Sequence, residues 1–93
     1  MFDIEVTGDL IRLSGRLDAA QTDKADQALA QVTDSAVVDF GDLDYISSAG
    51  LGSLFAVQKR LLAQDMGLKL IHLNPHIREV FEIAGFDSIF EIE

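Results

Sequence analysis

The stretch YISSAGLGSLF, residues 45–55, sets two adjacent serines and two glycines where a strand-like apolar run gives way to a helical one. Ser47 and Ser48 thus bring hydroxyls to a helix start, where free N–H groups and a partial positive charge suit a phosphate. A serine phosphorylated there would have its dianion stabilised by about 0.3–1 kcal/mol from the helix end. The same residues also suit plain N-capping, in which a hydroxyl accepts from an N–H two or three residues on. Gly50 and Gly52 would then serve close packing of helix on sheet. On residue types alone, capping is the more economical reading.

Other chemistries fit less well. Asp39, Asp42 and Asp44 could suggest an acidic magnesium pocket with an aspartate as phosphate acceptor, but that arrangement needs more strands than this chain has room for. Three acids around a turn read as a solvated rim. Gly50-Leu51-Gly52 runs on into SLF, so the G-x-G-x-x-G dinucleotide fingerprint is incomplete. Neither a G-x-S-x-G elbow nor a P-loop is present. His72 and His76 lie four apart, but Asn74-Pro75 breaks the helix that would face them together, and with no cysteine a zinc site is not expected. They read as a half-buried strand histidine and a surface histidine at a helix start. No catalytic residue, metal or cofactor is expected.

The elements that position the serines follow from periodicity. Phe2, Ile4 and Val6 alternate with polar residues, Gly8-Asp9 signals a turn, and Ile11 and Leu13 resume the alternation, which together predict a hairpin. Ala25, Ala28, Leu29 and Val32 predict a helix over roughly 20–32. SAVVDF reads as a short central strand buried on both faces. A turn at Asp42–Tyr45 should then lead to a helix from near Ser48, with a stripe at Leu51, Leu54, Phe55, Leu61 and Leu62, ended by Gly67. LKLIHL reads as another strand. Asn74-Pro75 is a helix start, Ile77, Val80, Phe81 and Ala84 its buried stripe, and Gly85 its left-handed end. SIFEI offers a last short strand, and Phe81, Phe86 and Phe90 read as core.

The order is β-β-α-β-α-β-α-β. It predicts an α/β fold with a mixed, mostly parallel sheet and helices packed against it. In such sheets, reacting groups gather beyond the C-terminal ends of parallel strands. Asp42, Asp44, Ser47, Ser48, Gly50 and Gly52 should therefore cluster at that edge.

Ninety-three residues make one domain, residues 1–93. Sixteen acidic against seven basic residues give a net charge of −9, which disfavours nucleic acid and anionic membrane surfaces; it would draw in a basic protein partner, and plain solubility explains the same charge. No run approaches the ~18 apolar residues needed to cross a bilayer. The first ten residues do not read as a signal peptide, and the absence of cysteine fits a cytoplasmic location.

The central stretch VVDFGDLDYISSAGLGSLF, with LSGRLDA before it and LNPHIREVFEIAGFDSIF after it, resembles the STAS domain of bacterial anti-sigma factor antagonists. The resemblance runs from the first strand to the last. It implies a non-catalytic partner-switching regulator of transcription, monomeric when free. An anti-sigma factor that is itself a serine kinase with an ATP-binding fold would phosphorylate the helix-start serine, and a PP2C-type phosphatase would remove the phosphate. By position the acceptor is Ser48. The family motif often reads Asp-Ser-x-Gly; Ser47 stands at the aspartate position and is the competing acceptor. The partner surface would comprise Asp42, Asp44, Tyr45, Ser47, Ser48, Ala49, Gly50 and Leu51. STAS-like domains also serve as accessory subunits of lipid or anion ABC-type transport systems, which is the alternative client.

Overall fold

The computed structural model describes all of residues 1–93. Five strands lie side by side in chain order: β1 (Phe2–Thr7), β2 (Leu10–Leu17), β3 (Ala36–Ile46), β4 (Leu68–Ile71) and β5 (Glu91–Ile92). β1 and β2 are antiparallel, and every later pair is parallel. The predicted mixed sheet and element order are both present. Helices α1 (Thr22–Leu29), α2 (Ser48–Leu62) and α3 (Pro75–Ile83) form the three crossovers. Each crossover moves one place in the same direction, so right-handed connections put all three helices on one face.

That topology corrects one expectation. β3 is central but not buried on both faces: Ala36, Val38 and Phe40 are buried, whereas Val37 and Asp39 are only half-buried. Valine-rich composition does not distinguish a strand covered twice from one covered once. The open face carries polar residues instead, with Glu5, Arg12 and Asp39 in register across β1, β2 and β3.

The hairpin turns at Gly8, which takes φ +62°. Gly15 has φ +82°, and a Cβ built there would lie 2.1 Å from the Met1 carbonyl oxygen, so only glycine fits. Arg16 N–H then donates to that same oxygen at 2.7 Å.

Helix boundaries differ from the periodic reading in instructive ways. A 3-10 turn, Ala19–Gln21, precedes α1, which ends at Leu29; Val32 is buried beyond it in the following turn. α2 ends at Leu62, five residues before Gly67. Met66 N–H donates to Leu61 O and Asp65 N–H to Leu62 O, a Schellman closure with Asp65 at φ +60° in the position glycine usually takes. Leu62 itself is exposed rather than part of the buried stripe. α3 starts as read from the sequence: Asn74 Oδ1 accepts from Ile77 N–H at 2.8 Å, Pro75 stands first, and Gly85 follows at φ +76°.

The core lies between the sheet and the helices. Phe81 on α3 is fully buried, edge-on to Phe40 and Phe90 at centroid distances of 5.7 and 5.8 Å. Burial of such a ring is worth about 2–3 kcal/mol. Phe86 is half-buried and stacks on Phe55 of α2. Gln58 and Ser53 are the polar side chains buried in an otherwise apolar interior, and Gln58 is the more deeply buried. The Gln58 amide accepts from Leu68 N–H at 2.7 Å and donates to Ile89 O at 2.8 Å, joining α2 to β4 and to the segment before β5.

Candidate functional site

The approach to Ser48 is shaped by β3. Residues 42–45, read from their composition as a turn, belong to this eleven-residue strand. The register against β2 slips twice: Arg12 and Ser14 oppose Asp39 and Asp42, and adjacent Gly15 and Arg16 oppose Leu43 and Tyr45. Each slip is a bulge that inserts one extra residue and resets which face the next side chain meets. Phe40, Leu43 and Ile46 therefore all reach the core although their spacing is three. Strict alternation would have turned Leu43 to solvent.

The first bulge is held by Asp39. Its Oδ1 accepts from Gly41 N–H at 2.8 Å and lies 2.9 Å from His72 Nδ1. Burial alone would raise the Asp39 pKa. The hydrogen bonds from Gly41 and His72, with the charges of His72 and Arg12, outweigh burial and hold the carboxyl below its ordinary value. His72 is not the half-buried strand residue expected. It lies past the end of β4, mostly exposed, with φ +61°. His76 is exposed at the start of α3, as read from the sequence.

At the end of β3 the two serines part company. Ser47 has extended backbone angles and is the N-cap of α2: its Oγ accepts from Gly50 N–H at 3.1 Å. Its own N–H donates to Leu17 O at 2.9 Å, which fixes the helix start to β2. Ser48 is the first helical residue and is exposed, and its hydroxyl has no hydrogen-bond partner. Gly50 sits where a Cβ would come within 2.8 Å of Leu17 Cγ and 3.0 Å of Ile46 Cγ1, so the helix start is seated tightly on two strand ends. At Gly52 a Cβ would meet nothing within 4 Å; the packing role expected for this second glycine is absent.

The structure thus brings Ser47, Ser48, Ala49, Gly50 and Leu51 together at one helix start. Of these, Gly50 and Leu51 are buried and shape the site from beneath, while Ser48 and Ala49 face outward. Tyr45 is half-buried, with the Arg16 guanidinium 4.4 Å from its ring centroid. Asp44 is exposed on the same stretch of strand. Asp42 stands apart from this group. It pairs in register with Ser14 and shares a shallow depression on the open sheet face with Asp3, Glu5 and Arg12. Arg16 was not singled out from the sequence, because its contact with Tyr45 depends on a parallel register that no local pattern announces. No three His, Cys, Asp or Glu side chains are gathered as metal ligands, and no helix is long and apolar enough to cross a membrane.

This geometry is that of a hydroxyl without a hydrogen-bond partner on an anion-favouring helix start. A family model described as the Mlab STAS domain matches residues 1–91. The chain belongs to the STAS domain family. Among curated STAS relatives, a Bordetella bronchiseptica protein with the provisional name of anti-sigma factor antagonist BtrV is 43% identical over 93 residues. The match covers 95% of this chain and 80% of that protein. The anti-sigma-B factor antagonist of Listeria monocytogenes is 32% identical over 87 residues, covering 89% of this chain and 76% of that protein. Among solved structures, the anti-sigma factor antagonist SpoIIAA in its unphosphorylated form matches all of this chain and 88% of its own. The TM-score is 0.76 at 24% identity, a shared fold. Bacillus SpoIIAA in its phosphorylated form gives 0.71 at 20% identity, covering all of this chain and 91% of its own.

Proposed function

We propose that this STAS protein is a non-catalytic anti-sigma factor antagonist that acts by exchanging partners. With Ser48 bare it binds an anti-sigma factor that is also a serine kinase; phosphorylation of Ser48 ends the contact, and a PP2C-type phosphatase restores it. The observation that carries this reading is the different use of the two serines. Ser47 is committed to capping α2, whereas the Ser48 hydroxyl is exposed and unengaged. The names of the curated relatives support the antagonist role.

The physical mechanism is local. Phosphorylation adds about −1.5 to −2 charges at the helix start. The free N–H groups and dipole of α2 tolerate that charge, so the domain stays folded. Within a contact surface the same charge must be desolvated without a partner, and each 1.4 kcal/mol lost weakens binding about tenfold. One modification therefore releases a partner without refolding the domain.

Peptide-level mass spectrometry of the protein from its own cells, with and without stress, tests the reading. A phosphate at Ser48 in a fraction that changes with conditions is the expected result. A permanently bare Ser48, with a transport ATPase subunit as the stable partner, would replace this reading with that of a transport accessory protein.

A further inference from the structure

The sheet is covered on one side only. β2, β3, β4 and β5 run parallel, and parallel strands are usually buried under helices on both faces. Ile11, Val38 and Leu70 are fully buried beneath the helices. Their strand neighbours Leu10, Val37 and Ile71 point to the open side, where each is half-buried. Leu10 is opposite Val37, and Ile71 lies two residues beyond Lys69, the partner of Val37 on β4. The three side chains form a diagonal apolar stripe across β2, β3 and β4. With strands about 4.8 Å apart and diagonal neighbours about 7–8 Å apart, the stripe spans about 12 Å. That is the length of roughly two turns of helix.

Charge flanks the stripe on both sides. On one side Arg12 stands between Glu5 and Asp39 in register. On the other, Lys69 pairs with Glu91 and Glu93. Each cation of the face thus already has two carboxylates beside it. Asp3 and Asp42 stand on either side of Ser14 in the next row. Six carboxylates therefore face two cations. Lys24, which reaches Asp3 from α1, and His72, which meets Asp39, leave the balance negative. That sign repels nucleic acid, anionic lipid and a second copy of the same face.

We infer that the open sheet face receives an amphipathic helix of a basic partner protein, with aliphatic side chains on the Leu10–Val37–Ile71 stripe and lysines or arginines against the flanking carboxylates. A helix suits the face because its backbone hydrogen bonds are made internally, whereas an added strand would need a sheet edge. Helix on sheet is also how the opposite face of this sheet is buried. The surface is separate from Ser48, which lies beyond the strand ends at the start of α2. Its occupancy is independent of phosphorylation there and does not rest on the proposed function.

A designed helical peptide serves as the probe, with leucines at i, i+3, i+4 and i+7 and lysines elsewhere; its control carries glutamates in place of the lysines. Titrated into the isotope-labelled full chain at physiological salt, the basic peptide is expected to shift the amides of Leu10, Arg12, Val37 and Ile71 and to leave α1, α2 and α3 unmoved. The acidic control should shift none of them. Val37→Thr combined with Ile71→Thr keeps branched, strand-forming side chains and the same charge, and is expected to weaken peptide binding at least tenfold. Ser48→Asp should bind the peptide as wild type does. Equal binding by wild type and the double variant would reduce the contact to unspecific charge attraction and overturn the inference, as would shifts confined to the helical side. Concentration-dependent broadening of the stripe amides in the free chain would assign the face to a second copy and overturn the basic partner. Should the double variant fail to fold, the shift map on wild type decides.

Discussion

Adjacent serines of identical chemistry hold opposite positions at the start of α2, and their substitutions should behave accordingly. Ser47→Ala removes the acceptor for Gly50 N–H and is expected to cost about 1 kcal/mol in urea unfolding. Ser47→Asp, which caps equally well, should stay within a few tenths. Ser48→Ala, exposed and unpartnered, should fall within about 0.5 kcal/mol of wild type. The sequence showed that a serine caps this helix, but which of the two does so depends on where β3 ends, and bulges set that end. Asp39 supplies a second prediction at this scale. Its pKa is lowered in the folded state, so its charge adds stability above the unfolded value near 4, and that stability is lost as pH falls through the lower folded value. Asp39→Asn keeps an acceptor for Gly41 N–H but loses the charge. It is expected to be less stable than wild type by on the order of 1 kcal/mol at about pH 5. Denaturation at successively lower pH should find the gap narrowing once pH drops below the unfolded value.

Element periodicity made most of the architecture legible: alternation marked β1 and β2, and the Asn74-Pro75 start with the Gly85 end framed α3. Where it failed, the cause was a local override of period or composition. GDLDY has the makeup of a turn, yet two bulges let it continue β3 while Leu43 and Ile46 still reach the core. Gly67 has the makeup of a helix end, yet Asp65 takes the left-handed position two residues earlier. Asp65→Gly should therefore raise stability by about 0.5–1 kcal/mol, by relieving a backbone conformation that disfavours side chains. Gly52→Ala should do likewise by up to about 1 kcal/mol, since its Cβ meets open space. Thermal unfolding of each variant checks both, and a lowered melting temperature in either would contradict the geometry.

For the whole molecule, the net charge of −9 was plain from the sequence, but its distribution was not. Lys24 pairs with Asp3 and Lys69 with Glu91 and Glu93. Arg60 and Arg78 donate to backbone carbonyls, and Arg16 lies over Tyr45. With sixteen acidic side chains against seven basic ones, several of them engaged within the chain, the surface offered to a partner carries net negative charge. Association with a basic partner should slow by at least about tenfold between low and high salt, measured by stopped flow. A salt-independent rate would show that the acidic surface serves solubility alone. The placement of Ser48 beyond the parallel strand ends followed from the element order; that Asp42 lies away from it, on the open sheet face, did not.

The most direct test of the account is the affinity of the anti-sigma factor kinase for this protein with Ser48 unmodified and with Ser48 phosphorylated, titrated at one ionic strength. The account predicts an affinity at least about 100-fold weaker after phosphorylation, about 2.8 kcal/mol, with the fold intact by circular dichroism. Equal affinities for the two forms would contradict it.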